Sequence, residues 1–133
     1  MLTLDLALQL RAAGIVWTPE AGDRFVVPDR DMDDEIFVVS DMTVEVHDFP
    51  TGKVIGFNGT TEWALDSLGQ GEVVWLPRED QLRELVGSDF ERLEAIPGGF
   101  AVVTASRDGT CRHVDIDAER AYARAVLTRR TPP

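Results

Sequence analysis

The chain has 133 residues, 44% of them hydrophobic and 28% charged, and its 24 acidic against 13 basic side chains give a formal net charge of −11 at pH 7. A chain of this length and composition can bury a core of its own, which excludes collagenous, disulfide-scaffold and wholly disordered classes. Its acidity repels the phosphates of nucleic acids and anionic lipid headgroups, so neither a nucleic acid nor a membrane is the expected partner.

In chain order, the first predicted element is a helix over roughly 3–13. Leu6, Leu10 and Ala13 recur at helical spacing, Thr3 is placed to cap the start, and Gly14 is placed to close the end in a left-handed conformation. Residues 24–59 read as short strands joined by tight links. Arg24–Val27, Ile36–Ser40, Thr43–Phe49 and Lys53–Phe57 are rich in β-branched and aromatic side chains. Such short links demand antiparallel pairing, because a parallel crossover takes a dozen residues or more. Ile36-Phe37-Val38-Val39 lacks polar alternation, which predicts a central strand covered on both faces.

A helix is predicted over roughly 60–68 on Ala64, Leu65 and Leu68, then a strand over Val73–Leu76 and a helix near 79–86 on Leu82, Leu85 and Val86, stopped by Gly87. Phe90–Ala95, Phe100–Ser106 and Arg112–Ile116 read as strands linked by Pro97-Gly98-Gly99 and Asp108-Gly109. Asp117 is placed to cap a last helix near 118–129, with Ala118, Ala121, Tyr122, Ala125 and Val126 as its apolar stripe. The expected fold is therefore a single α+β domain over 1–133: a largely antiparallel sheet with N-terminal, two middle and C-terminal helices packed on it.

A single cysteine, Cys111, precludes an intrachain disulfide. The start Met1-Leu2-Thr3-Leu4-Asp5 lacks the basic opening of a signal peptide, and no apolar run approaches the ~18 residues that a membrane span requires. These features lead to the expectation of a cytoplasmic protein. The acidity is concentrated: residues 20–48 hold ten acids against Arg24 and Arg30, whereas Arg120, Arg124, Arg129 and Arg130 cluster near the C-terminus. A basic protein partner at the acidic end follows as an expectation.

Two segments are candidate binding sites. In the first, Asp29, Asp31, Asp33, Asp34 and Glu35 place five carboxylates in seven positions, beginning with the spacing of an EF-hand loop. That loop requires glycine at its sixth position and a bidentate glutamate at its twelfth, where this chain has Asp34 and Ser40, so no metal is expected. The second is Asn58, Thr60, Thr61 and Glu62, in a Gly-containing turn entering a helix, whose free backbone N–H groups could hold an anion. Neither a phosphate-binding loop nor a dinucleotide fingerprint is present, and no cofactor is expected.

Cys111, His113 and Asp115 alternate along one strand, offering the residue types of nucleophile, base and orienter. Neighbours two apart on a strand stand about 6.5–7 Å from each other, beyond hydrogen-bond reach. The expectation is a half-exposed strand with Val114 and Ile116 turned inward and no catalytic residues. Glu62 and Asp66, four apart on a predicted helix, read as a solvent-facing edge, and Trp17, Trp63 and Trp75 as core or rim.

The runs Phe25–Thr43, Gly52–Ser67 and Trp75–Leu85 resemble a family of small actinobacterial proteins that carry the label pilus assembly protein CpaE. The resemblance covers nearly the whole chain and implies a role around a pilus or secretion apparatus; it brings no assigned catalytic residues. Two functions are compatible with these readings: a non-catalytic, acidic protein-interaction module, or a small-ligand binder or enzyme that uses the 29–35 turn with the 58–62 helix start.

Overall fold

The computed structural model describes residues 1–26, 36–39, 44–49, 52–57 and 73–130. In chain order the elements are α1 (Leu4–Ala12), β1 (Arg24–Val26), β2 (Phe37–Val38), β3 (Val44–Phe49), β4 (Gly52–Phe57), β5 (Val74–Leu76), α2 (Glu79–Val86), β6 (Phe90–Ile96), β7 (Gly99–Ser106), β8 (Gly109–Asp115) and α3 (Ala118–Arg130). Helices combine with antiparallel sheets, so the α+β class is as the sequence predicts. The predicted helix over 60–68 lies outside the described residues. The chain gathers into two compact units, one formed by Met1–Ile15 with Pro77–Pro133 and the other by Val16–Leu76.

The first unit is built on the antiparallel sheet β6-β7-β8. Val102 of the central strand lies between Leu93 and His113, and Phe100 between Ala95 and Asp115. α3 packs along β7 and β8 and also against α1 and α2. Its Ala121, Tyr122, Ala125 and Val126 are buried, together with Leu6 and Leu10 of α1 and Leu82 and Val86 of α2. The predicted caps form. Thr3 Oγ1 accepts from the Leu6 N–H at 3.2 Å, and Asp117 Oδ2 accepts from the Arg120 N–H at 3.1 Å. α1 ends in a Schellman motif: Gly14 takes φ +96°, its N–H donates to the Arg11 carbonyl, and the Ile15 N–H donates to the Leu10 carbonyl, both at 3.1 Å. At the start of α2 the Gln81 side chain reaches back to accept the Arg78 N–H at 2.9 Å.

The second unit contains a sheet of order β2-β1-β5, in which Phe25 sits between Phe37 and Trp75. β3 and β4 pair antiparallel from Val44 opposite Phe57 to Phe49 opposite Gly52. The expectation of a doubly covered strand at residues 36–39 fails. The central strand among the described residues is β1, with Phe25 and Val26 buried, whereas Ile36 is 43% and Val38 60% exposed. β2 pairs over only two residues at the margin of the sheet, so one of its faces meets solvent although the sequence offers no polar residue for it.

Candidate functional site

All nine predicted binding residues, Asp29, Asp31, Asp33, Asp34, Glu35, Asn58, Thr60, Thr61 and Glu62, lie outside the described residues, as do Trp63 and Asp66. The strands flanking the acidic run, β1 and β2, pair with each other.

The Cys111–His113–Asp115 series is fully described. It lies on β8 and shares a face with Phe100, Val102 and Thr104 of β7, because directly opposed residues point the same way. Arg124 of α3 donates to Asp115 Oδ2 at 2.7 Å, which identifies this face as the one under the helix. The predicted orientation of the strand is therefore inverted. Val114 and Ile116 are 51% and 72% exposed on the opposite face, and His113 is buried.

Each member of the series has its own environment. His113 Nε2 contacts Thr104 Oγ1 at 3.1 Å, and burial lowers the imidazole's pKa because the charged ring loses hydration. Asp115 accepts from Arg124 and from the Asp117 N–H at 3.2 Å, with Arg120 NH1 4.0 Å away. Burial works against the Asp115 carboxylate, but the Arg124 hydrogen bond, the Asp117 N–H and the nearby guanidinium charges outweigh it, and the pKa is lowered. Cys111 is exposed as a free thiol. No hydrogen bond joins the three, so base, orienter and nucleophile are not coupled. The two inner members instead fasten β8 to β7 and α3.

One of the ten acids counted over residues 20–48, with no role of its own in the sequence reading, is a buried carboxylate in the second unit. Asp23 is 2% exposed, and its Oδ2 accepts both the Trp17 indole Nε1–H and the Glu20 N–H at 2.9 Å. Its backbone carbonyl accepts the Val39 N–H at 2.8 Å. Trp17 stacks on Trp75 with ring centroids 6.4 Å apart and touches Phe25 at 5.7 Å, which places both described tryptophans in the core or at its rim. Asp23 thus leaves the solvated acidic segment and closes the turn from Trp17 to Asp23. The turn residues Pro19, Glu20 and Gly22 signal the bend, but the tryptophan six positions upstream is not a local partner that a sequence pattern reveals.

The charge divides sharply between the units. Residues 16–76 contain 13 acids and 3 bases, whereas the remainder contains 11 acids and 10 bases. In the first unit the charges are largely paired. Arg92 donates to Glu94 at 2.5 Å and Arg112 to Glu94 at 2.6 Å, bridging β6 and β8 across Ala101 and Val103 of β7; these hydrogen bonds, Arg92's foremost, hold the Glu94 carboxyl below its ordinary value. Of the C-terminal arginines, Arg120 and Arg124 serve Asp115, and Arg129 binds Asp89. The basic cluster seen in the sequence is thus mostly engaged within its own unit.

Among the described residues, no group of three or more His, Cys, Asp or Glu side chains is arranged to hold a metal ion. No helix among them is long and apolar enough to cross a membrane. The chain matches no protein-family model, no curated protein and no solved structure.

Proposed function

We propose that the protein is a non-catalytic, acidic interaction module of the cytoplasm, and that residues 16–76 receive a protein partner with a basic surface. One observation carries this reading: residues 16–76 hold a net charge of −10, while the arginines and carboxylates elsewhere come close to cancelling. An excess of one sign confined to one unit steers an oppositely charged partner and sets its orientation. His113 and Asp115 are engaged by separate partners, Thr104 and Arg124, rather than by each other or by Cys111, which supports a role without bond-making. Phosphates of a nucleic acid would meet repulsion over most of residues 16–76. The resemblance to the family labelled pilus assembly protein CpaE makes the components of such an apparatus the first partners to try.

The test is affinity capture from native lysate with the full chain as bait. A near-stoichiometric basic protein, retained at 50 mM NaCl and released by 500 mM, is the expected result. A variant with Asp29, Asp31, Asp33 and Asp34 changed to Asn and Glu35 changed to Gln should lose at least tenfold in affinity without any loss of thermal stability. A partner retained equally by this variant and insensitive to salt, or none at all with the bait monomeric, overturns the proposal.

A further inference from the structure

We draw no further inference here: the strongest candidate, the exposed apolar strip of Val114 and Ile116 on the face of the β6-β7-β8 sheet opposite α3, has nothing in the structure to show what covers it.

Discussion

His113 and Asp115 occupy the same face of β8, and acid acts on them in different pH ranges. Burial lowers the His113 pKa below its ordinary 6.5, so the unfolded chain takes up a proton that the folded chain resists. The stability tied to His113 is fully present above pH 6.5 and declines as pH falls from there towards the folded value. Asp115, whose pKa is lowered from 3.8, keeps its contribution above that value and loses it only as pH falls through the folded pKa. His113→Gln, which keeps a polar group for Thr104 without titrating, should therefore flatten the dependence of the urea midpoint on pH between 5 and 6.5. An unchanged slope would show that the imidazole is not the titrating group. The indoles allow a second residue-scale comparison. Trp17 Nε1–H is bound by Asp23, whereas Trp75 Nε1–H is buried without an acceptor among the described residues. Trp17→Phe should cost about 1–3 kcal/mol by leaving a buried carboxylate short of a donor, and Trp75→Phe distinctly less, because it removes an unmet donor and keeps an aromatic ring. Urea unfolding followed by circular dichroism checks the order of the two variants.

Among the elements, those with local stop and start signals are the ones the sequence marks best. Thr3, Gly14, Gly87 and Asp117 bound their helices because each acts on backbone groups within a few positions of itself. Gly14→Ala should cost about 1–2 kcal/mol, because alanine is strained at φ +96° although nothing crowds its Cβ. Gly99 is required for a different reason. It opens β7 opposite Ile96, and a Cβ there would press on the backbone carbonyl of Asp115. Since backbone has to move to make room, Gly99→Ala should lower stability by about 1–3 kcal/mol. Chemical-denaturation midpoints of the two variants measure both costs; a neutral Gly99→Ala would mean that the approach of β7 to the end of β8 is looser than the structure has it.

For the molecule as a whole, the division of charge governs the response to salt. Crowding thirteen acids against three bases in residues 16–76 raises the energy of the compact state through self-repulsion. Salt shortens the reach of that repulsion to about 10 Å at 0.1 M. Trp17, Trp63 and Trp75 all lie in this unit, so tryptophan emission reports on it. Its thermal midpoint should rise as NaCl increases from 10 to 150 mM. A fall would assign the larger role to ion pairs formed within residues 16–76, which salt weakens.

The sequence by itself determined the α+β class, the antiparallel pairing, most strand positions and the helix caps. Those features depend on links too short for crossovers and on side chains acting on nearby backbone. Tertiary structure alone decided which face of β8 turns inward. Alternation divides that strand into a polar set, Cys111, His113 and Asp115, and a set with the apolar Val114 and Ile116, and hydrophobicity favours burying the second. The polar set faces the helix because Thr104 stands beside His113 on the sheet and Arg124 reaches Asp115 from α3, so the desolvated groups find partners from distant parts of the chain. The burial of Asp23 has the same origin: its acceptor oxygen is satisfied by Trp17, a pairing that forms only once the turn has folded.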